Sequence, residues 1–219
     1  VPSLSPRKAR SRSKVQVLSA TDVCKTFGGG RGLFGFGVAS REVKAVKNVT
    51  LDLHKGETLG IVGESGSGKS TLARCIIRLM DTDSGDISIE GTQINKLSRA
   101  EMRLWRNKIQ MVFQDPFASL NPRIKVGDII AQGPVTQGTS KIEADKRARE
   151  LISIVGLDER SFERYPHEFS GGQRQRIGIA RSLALKPEIL IADEPVSALD
   201  VSIQAQILDL LEEIRDQMN

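Results

Sequence analysis

The sequence has few aromatic residues, few cysteines and no long apolar run. Aromatic residues make up 4% of the 219-residue chain, with one Trp and one Tyr, so aliphatic side chains must build the core. Only two cysteines are present, Cys24 and Cys75, which excludes a disulfide scaffold and suits a reducing cytosol. No apolar run approaches the roughly 20 residues of a bilayer-spanning helix. We therefore expect a soluble α/β or similar domain with an aliphatic core.

Almost all of the net charge lies in the first 14 residues. The formal net charge is +5, and the Ser/Pro-rich opening contributes five basic residues and no acidic one: Arg7, Lys8, Arg10, Arg12 and Lys14. The other 27 basic residues balance 27 acidic ones. We interpret residues 1–14 as a flexible linker or leader, although such a tail can also bind nucleic acid or an anionic membrane surface. The first residue is Val and the last helical pattern has no cap, so we expect a piece of a longer polypeptide.

Strand patterns dominate the first half of the chain. Strands are predicted for 15–27, 43–53, 58–63, 84–94 as a hairpin, and 109–114. The segment TLGIVG, residues 58–63, is predicted as a short buried strand that runs directly into a glycine-rich loop. A Gly/Phe-rich insertion, residues 28–37, separates the first two strands. This order predicts a mixed β region followed by α/β units.

Helical patterns dominate the second half. A helix begins at Lys69 with Leu72, Ile76 and Leu79 on one face, and another follows from Ser98. Residues 115–169 are mostly helical, and the spacing of Ser140 and Glu143 predicts a capping box. The helix that begins at this capping box carries five apolar residues at helical spacing: Ala144, Ala148, Leu151, Ile152 and Val155. We interpret this part as a helical subdomain. A buried strand, residues 188–194, and an amphipathic helix, residues 201–218, complete the chain.

A phosphate-binding loop is predicted at Gly63–Ser70, GESGSGKS, which fits G-x-x-x-x-G-K-[ST] between a strand and a helix. Glycines let backbone N–H groups approach phosphate oxygens where a Cβ would obstruct them. Lys69 is expected to reach the β- and γ-phosphates, and the Ser70 hydroxyl to bind Mg²⁺. The predicted nucleotide contacts are Gly63, Glu64, Ser65, Gly66, Ser67, Gly68, Lys69, Ser70 and Thr71. The alternative is an ordinary Gly-Ser turn.

The aliphatic run Ile189–Glu194, ILIADE, ends in two carboxylates. The end of this strand is expected to lie beside the phosphate loop, where Asp193 would hold Mg²⁺. Glu194 is then the candidate general base that orients and polarises the attacking water. Many strands end in acids, so this prediction depends on the pairing with the phosphate loop.

A second anion-binding turn is predicted at FSGGQRQR, residues 169–176. Ser170 is expected to cap a helix, and Gly171 and Gly172 leave backbone N–H groups accessible at the positive end of the helix dipole. One nucleotide does not need two such sites.

These motifs together resemble the ATP-binding cassette (ABC) family. The resemblance covers Val15 to the end of the chain and includes GESGSGKS, Gln114 after the strand IQMVF, FSGGQ, ILIADE and the segment Ser197–Asp200. It implies an α/β P-loop NTPase fold for residues 15–219. This nucleotide-binding domain has an antiparallel β region and an inserted helical subdomain at about 115–170. The family's switch histidine is expected one strand beyond the last helix, and neither His54 nor His167 occupies its place.

The resemblance also implies roles for single residues. Two such domains pair head to tail, so that Ser170, Gly171, Gly172 and Gln173 contact the γ-phosphate held by the neighbouring domain. Gln114 would touch Mg²⁺ and water, with a polar strand end as the alternative. Phe27 would stack on adenine, with a place in the core as the alternative, and Phe34 and Phe36 compete for the same role. With no switch histidine in the chain, we expect binding of Mg·ATP but weak hydrolysis.

The segment Phe113–Arg123, FQDPFASLNPR, resembles the oligopeptide, dipeptide and nickel importer ATP-binding subunits. That resemblance implies a transmembrane permease partner and, indirectly, an extracytoplasmic solute-binding protein. It also implies a peripheral position on the cytoplasmic face of the bacterial inner membrane. The same residues could form only a rigid turn.

Two other classes of function remain open. One is a cassette ATPase that works on nucleic acid, although the balanced charge of residues 15–219 argues against it and we expect no nucleic-acid partner. The other is an accessory ATPase of an enzyme complex, such as a carbon-phosphorus lyase system, which only the partner would distinguish.

Overall fold

The structure is a computed structural model that describes residues 13–28 and 42–217. The strands are β1 (Gln16–Phe27), β2 (Val43–His54), β3 (Ser84–Ile89), β4 (Thr92–Gln93), β5 (Ile109–Val112) and β6 (Ile189–Ala192). The helices are α1 (Lys69–Ile76), α2 (Arg99–Trp105), α3 (Pro116–Ser119), α4 (Val126–Thr136), α5 (Lys141–Ile154), α6 (Gly171–Leu183) and α7 (Val201–Gln217). Predictions for residues 1–12, and for Phe34 and Phe36 in the insertion, lie outside the described residues. Among the described helices, none combines the length and the apolar composition that crossing a bilayer requires.

The first four strands form an antiparallel sheet in the order β2-β1-β3-β4. Strand β1 pairs on both edges, with Leu18 opposite Leu53 on β2 and Ala20 opposite Ile87 on β3. This arrangement confirms the strands predicted at 15–27 and 43–53 and the hairpin predicted at 84–94, which β3 and β4 form. A separate parallel pair joins β5 to β6, with Val112 opposite Ala192. Mixed α/β architecture with an antiparallel sheet is therefore confirmed.

The prediction of a buried strand at residues 58–63 is wrong. This segment has no strand structure, and Leu59, Ile61 and Val62 are 42%, 47% and 97% exposed. Within residues 13–28 and 42–217, no strand pairs with it, so its apolar side chains lack a sheet neighbour to cover them. The side chain of Thr58 instead accepts a hydrogen bond from Arg215 near the end of α7.

Helix α1 is shorter than its apolar pattern predicted. Leu72 and Ile76 are buried as expected, but Leu79 is 53% exposed. The helix ends at Ile76, and Arg78 follows with a φ of +52°, which turns the chain out of the helical path. The apolar position one turn later is therefore not on the buried face of α1.

Two hydrophobic clusters make up the core. One lies between the antiparallel sheet, α1 and the start of the parallel pair, and includes Val23, Cys75 and Ile109. The other joins α4, α5, α6 and α7, and contains all five apolar residues predicted to line α5. Residues 116–168 contain helices and turns and no strand, but they share this cluster with α6 and α7. The boundary of a helical subdomain near residue 170 stays a prediction.

Side-chain caps begin helices α5 and α6. Ser140 accepts a hydrogen bond from the N–H of Glu143, as predicted. The Glu143 carboxylate, however, accepts from the Ser140 hydroxyl rather than from its N–H, so the reciprocal half of the capping box is replaced. Ser170 and Gln173 do form the complete box, with Gln173 Oε1 3.0 Å from the N of Ser170.

Candidate functional site

The phosphate loop leads from the exposed segment 58–63 into α1. Gly68 stands at the N-cap of α1 with a φ of +96°, and a Cβ there would lie 1.9 Å from the carbonyl oxygen of Ala45. Gly66 also has a positive φ, +81°, but its missing side chain would meet open space. The N–H of Ser67 donates to the carbonyl of Glu64, at 3.2 Å, and closes the loop. Glycine is thus required at Gly68 by both backbone conformation and close approach.

The ammonium group of Lys69 lies across this loop. Its Nζ donates to the carbonyl oxygens of Gly63 and Glu64, at 2.9 and 2.8 Å. The same Nζ lies 3.5 Å from Oε1 of Glu194. The Lys69 ammonium group is therefore in contact with both the glycine-rich loop and the Glu194 carboxylate, and its positive charge lies next to the loop.

The hydroxyl of Ser70 donates to Oδ1 of Asp193 at 2.7 Å. Asp193 is 6% exposed, and its N–H donates to the carbonyl of Val112 at 3.0 Å, which holds the end of β6 against the end of β5. The parallel pair thus brings a buried carboxylate to the first turn of α1, as the position at a carboxyl-terminal sheet edge predicted.

Gln114 and Glu194 are in direct contact. Nε2 of Gln114 donates to Oε2 of Glu194 at 3.0 Å and to Oγ of Ser197 at 3.3 Å. Ser197 Oγ in turn donates to the main-chain oxygen of Glu194 at 3.1 Å. Glu194 has a φ of +44°, an uncommon conformation for a residue with a side chain, and such strain concentrates at functional sites. The amide and the carboxylate are held at one place by this small network.

A cavity of about 800 Å³ opens beside this network and extends between β5, α4 and α6. Gln114 and Asp193 line it, as does Arg181 of α6. Burial lowers the pKa of the Arg181 guanidinium below its ordinary value. Its Nη1 donates to the carbonyl of Ser119, so α6 also contacts the segment that follows Gln114.

The Ser170–Gln173 turn begins α6, as predicted. Helical geometry leaves the N–H groups of Gly171 and Gly172 without intrahelical acceptors. A Cβ on Gly171 would lie 3.4 Å from Leu199, and one on Gly172 would lie 2.7 Å from Ile203. The neighbours of this turn are therefore Leu199, Ile203 and Phe117, which lie towards α7 and α3. In the described part of the chain, no hydrogen bond or ion pair joins the turn to the phosphate loop.

Phe27 ends β1 and is 41% exposed, which disagrees with a place in the core. Nζ of Lys25 lies 6.0 Å from the centre of its ring. An exposed ring remains available to stack on a planar ligand. In the part of the chain that the structure describes, no hydrogen bond, ion pair or ring contact joins Phe27 to another predicted site residue, so its adenine role stays a prediction.

The structure thus brings together five predicted residues from three distant parts of the sequence: Lys69, Ser70, Gln114, Asp193 and Glu194. It leaves the Ser170–Gln173 turn and Phe27 outside that group. Sequence reasoning assigned no role to Ser197, which joins the group by bonding Gln114. Its position three residues after Glu194, in the turn that follows β6, was the available signal.

The glycine-rich loop joins an extended segment to a helix, carries Lys69 and Ser70, and faces the strand-end acid Asp193. This combination defines a phosphate-loop nucleotide-binding protein. The family model described as ABC transporter matches residues 46–197, which is more than half of the chain. The chain belongs to the ABC transporter family.

Bacterial relatives share about half of its residues. The "Dipeptide transport ATP-binding protein DppF" of Lactococcus lactis subsp. cremoris is 53% identical over 180 residues, 80% of this chain and 58% of that protein. The "Oligopeptide transport ATP-binding protein AppF" of Bacillus subtilis is 53% identical over 205 residues, 93% of this chain and 62% of that protein. The chain therefore spans about 58–62% of the length of these relatives.

Solved structures agree with the fold. One similar structure is described as a dimeric, post-hydrolysis state of the ATP-binding cassette MJ0796 bound to ADP and Pi. It has a TM-score of 0.78 and 32% identity, and the match covers 91% of this chain and 83% of that one. The α/β ABC-type nucleotide-binding fold predicted from the motifs is confirmed.

Proposed function

We propose that this chain is the ATP-binding and ATP-hydrolysing part of an importer of peptides or related solutes. The observation that carries the proposal is the contact between the two halves of the site, Ser70 with Asp193 and Gln114 with Glu194. Relatives named as dipeptide and oligopeptide transport ATP-binding proteins, at about half identity, support the cargo class.

The donor set fits Mg²⁺ as the metal that accompanies ATP. Ser70 and Asp193 offer a hydroxyl and a carboxylate, which are the hard oxygen ligands that Mg²⁺ prefers, and Gln114 offers an amide oxygen nearby. In the described residues no group of three or more His, Cys, Asp or Glu side chains could hold a metal alone. When bound, Mg²⁺ would neutralise charge on the β- and γ-phosphates.

The residues of the chain divide the chemical step among them. Lys69 exchanges the carbonyls of Gly63 and Glu64 for phosphate oxygens and offsets their charge. The Gln114 amide and the Glu194 carboxylate orient one water against the γ-phosphorus, and Glu194 accepts its proton as the bond to the leaving oxygen of ADP breaks. The hydrogen bond of 3.0 Å between these two side chains places them close enough to share one water.

The Ser170–Gln173 turn would act on the nucleotide of a second ABC domain. Among the described residues, no hydrogen bond or ion pair joins this turn to the phosphate loop of its own chain, and a partner arranged head to tail would place its backbone N–H donors at the γ-phosphate. ATP, but not ADP, then stabilises the closed dimer, which gives the differential affinity that a binding-driven conformational change requires. The similar ABC cassette described as dimeric with bound ADP and Pi supports the pairing of two domains, whereas the head-to-tail arrangement is part of the proposal.

The segment Phe113–Arg123 and the cavity beside it would receive the membrane permease, which in turn meets an extracytoplasmic solute-binding protein. Gln114 is the second residue of this segment and donates a hydrogen bond to Glu194, so a partner seated here would influence the position of the water-orienting amide. The chain would then lie at the cytoplasmic face of a bacterial inner membrane. Co-purification of a polytopic permease supports this role, whereas capture of soluble lyase subunits would favour the accessory-enzyme alternative.

The experiment that tests the ATPase proposal compares three variants. Glu194→Gln keeps the shape of the side chain but removes the base, so hydrolysis should fall by about 10² or more while an ATP-bound dimer accumulates in Mg·ATP. Lys69→Ala should lose nucleotide binding and hydrolysis together. Lys55→Ala, in the exposed turn after β2, is the matched control and should behave as wild type. A Glu194→Gln protein that hydrolyses normally, or stays monomeric at saturating Mg·ATP, contradicts the proposal.

A further inference from the structure

The segment that follows Gln114 is a stiff turn that lies along α6. The Asp115 carboxylate accepts hydrogen bonds from the N–H groups of Phe117, at 2.7 Å, and Ala118, at 3.3 Å, and so caps the short helix α3. Leu120, at the other end, is 3% exposed and belongs to the helical core. Capping at one end and burial at the other therefore fix residues 115–120 at both ends.

Two arginines of α6 hold this segment. The guanidinium carbon of Arg174 lies 3.9 Å from the centre of the Phe117 ring, a close cation–π stack. Arg181 donates to the carbonyl oxygen of Ser119. These arginines are about two helical turns apart on α6, so both ends of α3 are attached to the same helix.

The Arg174 side chain is also held by hydrogen bonds to two main-chain carbonyl groups. Its Nε donates to the carbonyl of Pro166 at 2.8 Å, and its Nη2 to that of His167 at 3.3 Å. The plane of the guanidinium therefore cannot swing away from Phe117 without breaking those bonds. The ring also lies beside the first turn of α6, because a Cβ on Gly171 would be 4.0 Å from its Cε2.

We propose that Phe117 is a positioning residue that couples Gln114 to the first turn of α6 through its stack on Arg174. This inference rests on the proposed function, in which that turn binds the γ-phosphate held by a second domain. If α6 moves, the Arg174 guanidinium moves with it and displaces the Phe117 ring. Because Gln114 lies three residues before Phe117, its position then changes as well. The placement of the amide against Glu194 then depends on what the Ser170–Gly172 turn has bound.

The exposure of Phe117 makes the residue suitable for a test. Its side chain belongs to a residue that is 59% exposed, so truncation leaves no core cavity and should not unfold the protein. Phe117→Leu removes the ring but keeps an apolar side chain, while Phe117→Tyr keeps a ring that stacks on a guanidinium. Leu104→Ala, at a residue 73% exposed on α2, controls for loss of surface apolar area.

The readout is steady-state ATP hydrolysis by the purified protein, with kcat and KM determined separately. Phe117→Leu should lower kcat about tenfold and leave KM for ATP within twofold, because misplacement of a positioned group affects the transition state more than binding. Phe117→Tyr should stay within twofold of wild type in both. No permease is present, so a role of Phe117 in docking alone predicts no change in kcat.

Three results would overturn the inference: kcat unchanged in Phe117→Leu, a KM raised as much as kcat falls, or a loss in Phe117→Tyr equal to that in Phe117→Leu. Failure of the proposed function looks different, because the wild-type protein would then show no hydrolysis that Lys69→Ala abolishes.

The stack itself can be measured without nucleotide. Trp105 is the single tryptophan of the chain, so Trp105→Phe combined with Phe117→Trp places one fluorophore against Arg174. Acrylamide quenching of that fluorophore should rise about twofold when Arg174→Gln is added. Equal quenching with and without Arg174 would show that Arg174 does not hold the ring. That result would overturn the inference, because the coupling requires the contact between Arg174 and residue 117.

Discussion

The hydroxyl of Ser70 lies 2.7 Å from Oδ1 of Asp193, and this hydrogen bond joins positions 123 residues apart. One partner opens α1 and the other follows β6, so the bond closes the phosphate loop against the parallel pair of strands. Asp193 is nearly inaccessible to solvent, and a buried carboxylate is retained only with partners that compensate its charge. Its partners here are the Ser70 hydroxyl and, in the proposed function, Mg²⁺.

Replacing Asp193 should therefore separate metal-dependent from metal-independent binding. Asp193→Asn keeps the shape but removes the charge, so we expect hydrolysis to fall by about 10² or more and Mg²⁺ to lose its effect on ATP affinity. ATP binding in EDTA should stay within a fewfold of wild type, because the glycine loop and Lys69 are unchanged. Titration of a fluorescent ATP analogue with and without Mg²⁺ measures both. Asp86→Asn, exposed on β3, is the control, and equal Mg²⁺ dependence in the two variants would contradict the assignment.

Gly171 should matter for assembly and not for binding by the single chain. Gly171→Asp places a carboxylate in the turn that would meet the γ-phosphate, and a Cβ there fits at 3.4 Å from Leu199. We expect ATP affinity of the monomer within twofold of wild type and at least a tenfold loss of the dimer trapped by Glu194→Gln. Sedimentation in Mg·ATP measures the dimer.

Gly178→Ala is the matched control on the same helix, since a Cβ at Gly178 meets no other atom within 4 Å. If Gly171→Asp lost ATP binding as a monomer, the turn would belong to the nucleotide site of its own chain, and the two-domain interpretation would be wrong.

Gly68 and Gly66 provide a test of the loop geometry. Both have a positive φ, but only at Gly68 would a Cβ collide with backbone, 1.9 Å from the carbonyl oxygen of Ala45. We expect Gly66→Ala to lower the free energy of unfolding by about 1 kcal/mol, the cost of the left-handed conformation, and Gly68→Ala by clearly more. Urea unfolding of the two variants measures the difference. Equal losses would mean that strand β2 does not approach the loop as described.

Local features of the site were predictable from sequence because neighbouring residues determine them. The cap at Ser170 and the apolar face of α5 follow from spacing within one or two helical turns. The meeting of Ser70 with Asp193 was predictable for a different reason, since a phosphate loop and a strand-end acid meet at one edge of a parallel sheet.

The remaining features depend on contacts that spacing does not encode. The run at 58–63 has the composition of a buried strand, but burial requires a neighbouring strand, and the described residues contain none beside it. Ser197 lies in a turn and Phe117 in the short helix α3, and their partners, Gln114 and Arg174, are 83 and 57 positions away. Turn sequences alone do not specify which distant side chain they will meet.

The pH dependence of stability should show the contribution of Asp83. Its carboxylate accepts from Nζ of Lys25 at 2.7 Å and from the N–H of Thr26 at 2.6 Å, and these hydrogen bonds, the Lys25 bond first, lower its pKa below 3.8. A carboxyl group whose pKa is lower in the folded state stabilises the fold at pH values above its unfolded pKa. That stabilisation is lost as the pH falls through the folded pKa.

Asp83→Asn should accordingly lower the free energy of unfolding at pH 7, by less than about 1 kcal/mol because the pair is partly exposed to solvent. The difference from wild type should shrink below about pH 4 and vanish once the wild-type carboxyl is protonated. Urea unfolding at pH 7, 5, 4 and 3 measures it, with Asp81→Asn as control, since the Asp81 side chain is 85% exposed and 3.5 Å from Arg78. Because Thr26 precedes Phe27, loss of this anchor should also loosen the end of β1. A difference that stayed constant from pH 7 to pH 3 would show that the Asp83 carboxylate charge does not stabilise the fold.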